Sequence, residues 1–139
     1  MSIEEIELEI IDEFEVFEDW MGKYEFLIDL GKSLPLIDAK YKTEDNLIKG
    51  CQSQVWMHSE LKDRKVVYTA DSDAIITKGM VALMVRVLSD HTPEEIINSK
   101  LDFVEKIGLT KHLSPTRSNG LVSMIKQMKL DALAYKQIS

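Results

Sequence analysis

The chain of 139 residues reads as a single α+β domain, in which several helices pack with a small antiparallel sheet of about three strands. Three observations predict this. Apolar residues recur at helical spacing near both ends of the chain, and two β-prone segments between residues 55 and 70 flank a polar turn. No repeat, linker or low-complexity tract divides the chain, so one domain over residues 1–139 is expected. That length is enough for a core of its own.

Ile3, Ile6, Ile10, Phe14, Phe17 and Met21 fall three and four residues apart with acids between them, which predicts an amphipathic helix over residues 2–18. Asp19 is placed to cap a second helix whose Trp20, Tyr24, Leu27 and Ile28 share a face, and Gly31 followed by Pro35 ends it. Residues 34–50 read as a loop, within which 44–49 is a candidate for the short third strand. Val55 to Leu61 and Lys65 to Ala70 form a hairpin around Lys62, Asp63 and Arg64; without an Asn-Gly pair its register is open.

Asp71, Ser72 and Asp73 read as caps of the most apolar helix, Ala74 to Ser89. Its stretch Met80 to Val85 is apolar all round, which predicts a central position. Thr92-Pro93-Glu94-Glu95 is a capping box with proline at the first helical position, opening a short helix to about Asn98. Leu101 to Ile107 suggests another. Ser114-Pro115 starts the last helix, with Leu121, Ile125, Met128, Ala132 and Tyr135 as its core stripe.

The net charge of −7 is unevenly placed: residues 1–29 hold eleven acids against Lys23 alone, a local balance of −10, so the remainder carries +3. An acidic chain with no basic stripe is a poor nucleic-acid binder. The longest apolar run, Gly79 to Leu88, is interrupted by Arg86 and falls short of the ~18 residues of a membrane span. Glu4, Glu5, Glu7 and Glu9 stand where a secretory signal needs basic residues, so a cytoplasmic protein is expected.

Cys51 is the one cysteine. It cannot form an internal disulfide, nor supply the several thiolates of a zinc knuckle or iron–sulfur cluster. A structural cysteine, a single metal ligand or one nucleophile acting alone remain. Gly50 before it permits unusual backbone geometry, and Gln52, Ser53 and Gln54 after it are poor core neighbours, so the thiol looks presented rather than packed. Lys49 and Arg117 are the cations that could favour its thiolate. His112 is the candidate for a Cys–His pair, whereas His58 on a strand and His91 behind an apolar helix read as structural. No ligand spacing for a metal, no phosphate-binding glycine loop and no nucleophile elbow is present.

The run Gly50-Cys51-Gln52-Ser53-Gln54-Val55-Trp56 resembles the sulfur-acceptor motif of the SufE family. Two further blocks resemble that family in the same order: Asp71 to Ala74 with Lys78-Gly79, and Leu109 to Leu121. Trp20, Tyr24, Leu30-Gly31 and Leu34-Pro35 also fit, so the resemblance spans about residues 20–125. It implies a fold shared with IscU-type cluster scaffolds; those use three cysteines and this chain has one, so ligand count argues against a scaffold role.

The resemblance also implies a partner, a PLP-dependent cysteine desulfurase, and a downstream iron–sulfur scaffold or other sulfur acceptor. Cys51 would accept persulfide sulfur, and the chain would carry no cofactor of its own. It would be a transfer partner and activator rather than a free-standing enzyme. Gly50 would hinge the loop, Gln52 and Ser53 would set its tucked and exposed states, and Asp73 and Arg117 would lie beside the pocket or at the partner interface. The alternative is a stand-alone thiol enzyme, a peroxidase or hydrolase, using Cys51 with His112. Whether the chain forms a homodimer is left open.

Overall fold

A computed structural model describes residues 1–138. The chain runs α1 (Ile3–Glu15), α2 (Trp20–Gly31), two short 3-10 turns, β1 (Val55–Lys62), β2 (Lys65–Ser72) and α3 (Ile75–Leu88). Then follow α4 (Pro93–Asn98), α5 (Phe103–Lys106), α6 (Leu109–His112) and α7 (Pro115–Ile138). The α+β class is as the sequence predicts. Among the described residues, no helix is long and apolar enough to cross a membrane.

β1 and β2 pair antiparallel from Val55–Ser72 to Lys62–Lys65. Their turn is the two residues Asp63 and Arg64, at φ +50° and +68°. Those are the left-handed positions that a type I′ turn requires, reached here without the usual Asn-Gly. Val66, Tyr68, Ala70 and Ser72 alternate inward toward the core, and the Tyr68 hydroxyl donates to Met128 O on α7 at 2.7 Å.

Two expectations are corrected. The third strand does not form: residues 44–46 make a 3-10 turn, and only a single bridge joins Leu47 to Trp56. A lone bridge satisfies one backbone pair but cannot extend a ladder, so the sheet has two strands among the described residues. The Asp71–Ser72–Asp73 run does not cap α3 in the expected way either. Asp71 and Ser72 still belong to β2, the helix starts after Ala74, whose side chain makes no cap bond, and Ser72 Oγ accepts from the Ala74 N–H at 3.3 Å. Asp71 instead pairs with Lys42 at 3.1 Å and Lys78 at 3.3 Å. Burial would raise the Asp71 carboxyl, but bonds from Lys42, the Ser72 N–H and Lys78 outweigh it and hold the pKa low.

α3 is central, as its all-round apolarity predicts: eleven of its fourteen residues are buried. It meets α2 at Gly31 and Gly79, where a Cβ added to Gly79 would stand 2.2 Å from Leu27 O. Only a glycine there lets the two backbones come so close. Of the two half-buried charges on α3, Lys78 pairs with Asp71 and Arg86 is taken up by α1, its guanidinium bonding Glu9 at 2.7 Å and also Glu13. α1 is shorter than the predicted 2–18 and carries a full capping box between Ser2 and Glu5. α6, which the periodicity does not suggest, follows Gly108 at φ +86°.

Candidate functional site

The loop from Lys49 to Gln54 is tied at its base and seated at its tip. Ile48 N–H donates to Val55 O at 2.9 Å and closes the loop. A second tie joins Gln54 N–H to Asp73 Oδ1 at 3.0 Å, returned by Asp73 N–H to Gln54 O at 3.3 Å. Gly50 adopts φ +93°, and a Cβ built there would stand 2.4 Å from Ser123 Oγ on α7. The position demands both a left-handed backbone and an absent side chain, which glycine alone supplies.

Cys51 comes next and is half-buried. Its thiol donates to Gly120 O on α7 at 3.6 Å, within reach of a weak sulfur donor. Gly120 is itself buried, and a Cβ there would meet Sγ at 3.6 Å, an ordinary contact. The loop therefore rests on α7 at two adjacent turns, Gly50 on Ser123 and Cys51 on Gly120.

Beside the sulfur lies a cavity of about 400 Å³. Cys51, Gln52 and Ser53 form its loop wall; Thr77 and Met80 come from α3; Ser114, Thr116, Arg117, Gly120 and Met124 come from α7 and its lead-in. Arg117 is the charged side chain of that lining. It is exposed and engaged by Tyr24: its Nη1 donates to Tyr24 Oη at 3.1 Å and its Cζ lies 6.0 Å from the Tyr24 ring centre. Ser114 Oγ accepts from the Arg117 N–H at 3.3 Å and so caps α7 as Ser114-Pro115 suggested. Burial pushes the Cys51 thiol above its ordinary pKa. In this arrangement burial disfavours the thiolate, the nucleophilic form.

The site thus gathers Gly50, Cys51, Gln52, Ser53 and Arg117, with Asp73 at the loop base rather than in the cavity. His112 does not line it. Its ring stacks on Trp20, centroids 4.4 Å apart and planes 14° from parallel. His58 stacks on Tyr41 and bonds Glu60, and His91 sits buried with its ring nitrogens on the carbonyls of Ser89 and Met1. Lys49 is exposed. Among the described residues, no group of three or more His, Cys, Asp or Glu side chains is placed to hold a metal ion.

Sequence reasoning did not find Thr77, Met80 and Met124, nor the seat at Gly120. Two signals pointed that way. Thr77 is a polar residue on a buried face of α3, and Gly120 lies in a helical stripe where a larger side chain would be expected.

A family model described as "SufE: Fe-S metabolism associated domain" matches residues 8–132. The chain belongs to the SufE family. Within it, 126 residues are 43% identical to "SufE-like protein 1, chloroplastic/mitochondrial" of Arabidopsis thaliana, covering 90% of this chain and 34% of that protein. The chain therefore spans about a third of that relative's length. Uncharacterized SufE-like proteins match over most of their lengths. That of Rhizobium meliloti is 39% identical over 129 residues, 89% of this chain and 92% of the relative; that of Synechocystis is 39% identical over 127 residues, 91% and 80%. The solution structure of a hypothetical protein from Thermus thermophilus superposes with a TM-score of 0.79, covering 95% of this chain and 96% of that one. At 16% identity it shows the fold alone. SufE membership associates the chain with Fe–S metabolism; the chemistry of Cys51 is a separate question.

Proposed function

We propose that this chain is a sulfur carrier that takes persulfide sulfur from a PLP-dependent cysteine desulfurase onto Cys51 and passes it on for iron–sulfur cluster assembly. The observation that carries this is the seat of Cys51: a lone thiol on a loop tied at its base, resting on α7 beside a cavity with room for an added sulfur. The PLP belongs to the partner, and this chain needs no cofactor for its own step. A reducing, cytoplasmic compartment suits an unpaired thiol.

The exchange balances without an external oxidant. The Cys51 thiolate attacks the outer sulfur of the desulfurase persulfide; a new S–S bond forms on Cys51 as the old one breaks, and its electron pair leaves on the desulfurase cysteine. The proton lost from Cys51 is matched by one taken up by that leaving thiolate. Because burial keeps the resting thiol protonated, docking must draw the loop off α7, and Gly50 is the residue placed to hinge it. Gln52 and Ser53, which share the cavity wall, move with it. With no second cysteine in the chain, Cys51–S–SH cannot collapse to an internal disulfide.

The test is desulfurase turnover with L-cysteine and a reductant. Wild-type chain is expected to raise sulfide release, and Cys51→Ser to bind without raising it. If Cys51→Ser stimulates as well as wild type, the chain is a binding activator and not a carrier. No observation favours the stand-alone thiol enzyme, whose proposed base His112 is engaged with Trp20 outside the cavity lining.

A further inference from the structure

Arg117 and Cys51 line the same cavity, yet the guanidinium is engaged elsewhere. Its Nη1 donates to Tyr24 Oη at 3.1 Å and its Cζ stands 6.0 Å from the Tyr24 ring centre, while the thiol turns to Gly120 O. Tyr24 is itself braced. Its ring meets Trp20 edge-on at 6.4 Å and 73°, and Trp20 stacks on His112 at 4.4 Å. Three elements converge to fix one phenol: α2 supplies Trp20 and Tyr24, α6 supplies His112 and α7 supplies Arg117. Burial raises the pKa of the thiol, and the hydrogen bonds of the two groups run to Tyr24 and Gly120 rather than to each other.

We propose that Tyr24 is a positioning residue that parks the Arg117 guanidinium away from Cys51, and that release of this contact delivers the cation to the Cys51 thiolate. The inference deepens the carrier function and rests on Cys51 being the reacting group. The geometry supplies both halves of a switch. Arg117 sits in the exposed first turn of α7 with a long, flexible side chain, and the contact to be broken is one hydrogen bond and one ring-face contact at the surface. A carrier gains from this arrangement. A thiol left permanently beside a cation would react with any electrophile, whereas one activated only when a partner displaces Arg117 from Tyr24 reacts where sulfur is offered.

The experiment is alkylation of Cys51 by iodoacetamide, followed against pH on the isolated chain. Tyr24→Phe removes the acceptor oxygen and keeps the ring. It is expected to raise the alkylation rate at neutral pH by about tenfold and to lower the midpoint of the pH profile, as a cation near a thiolate does. Arg117→Ala in the Tyr24→Phe background is expected to cancel that gain. An unchanged or slower rate in Tyr24→Phe, or a gain that survives loss of Arg117, overturns the proposal.

A second readout follows Arg117 itself. In 15N-labelled Tyr24→Phe, the Arg117 Nε resonance should shift as pH is raised through the Cys51 titration, and should stay fixed when Cys51→Ser is added. A resonance that does not move in Tyr24→Phe overturns the proposal too. Neither measurement contains a desulfurase. A positive result here alongside a failed turnover assay removes the carrier function and leaves the switch; the reverse removes only the switch.

Discussion

Two glycine contacts in this molecule look alike and do opposite work. At the α2–α3 joint, Gly79 meets Leu27 backbone so closely that a Cβ would lie 2.2 Å from a carbonyl oxygen that cannot yield. At the loop–α7 seat, Gly120 meets Cys51 at a distance where a Cβ would find an ordinary 3.6 Å contact with sulfur. The first contact joins two helices in the core. The second rests a largely exposed loop, with a half-buried Cys51, on a helix through one weak S–H bond and the Gly50–Ser123 approach. Close packing of backbone on backbone makes the first a rigid joint, and the second is the contact that the proposed carrier function requires to open.

The largest effect is expected of Gly79→Ala, which should cost about 3 kcal/mol in urea unfolding because backbone has to move to admit the methyl group. A loss below half of that would show that the α2–α3 joint is as yielding as the seat. Gly50→Ala comes next. Its left-handed backbone costs about 1–2 kcal/mol with a side chain present, and its Cβ also meets Ser123 Oγ. The loop should lift, so Cys51 alkylation should quicken even though most of the stability remains.

Gly120→Ala sharpens the contrast with Gly79→Ala from the other side. Alanine in a helix interior is favoured by roughly 0.5–1 kcal/mol over glycine, and nothing rigid blocks it here, so unfolding should show no loss. The smallest effect is in pH. Burial raises the native thiol above its unfolded value, so the native state holds its proton over a range where the unfolded chain has released it. The stabilisation from this source is whole below the unfolded pKa and is lost as pH rises through the native one. The alkylation midpoint of native protein should accordingly lie above that of the urea-unfolded chain, and Gly50→Ala should bring the two together.

The joint and the seat are not equally legible in the sequence. The helices, the hairpin and the central place of α3 follow from apolar periodicity, which reports burial on one element at a time. The Lys78-Gly79 pair is visible as part of a family resemblance, but its reason, the approach of Leu27, lies on another helix. The third strand fails because residues 44–49 hold apolar Leu47 and Ile48 that look strand-like, while only Leu47 bridges to Trp56. Asp73 invites misreading because an Asp-Ser-Asp run before a helix has the composition of a cap, whereas β2 runs on through Ser72 and Asp73 ties the loop instead.

Cys51 stands out through its flanks, and Gln52, Ser53 and Arg117 do share its cavity. Gly120 as its seat does not stand out, since the contact joins residues 69 apart. Nor can spacing show that Trp20 claims the His112 ring and Tyr24 the guanidinium of Arg117.

The most direct test of the central claim, that Cys51 carries sulfur, is intact mass spectrometry without reductant after brief incubation with a cysteine desulfurase and L-cysteine. A gain of one sulfur atom is expected on the wild-type chain, removed by later reductant and absent from Cys51→Ser. Sulfur that fails to load on the wild type while the two proteins demonstrably bind, or that loads equally on Cys51→Ser, would contradict it.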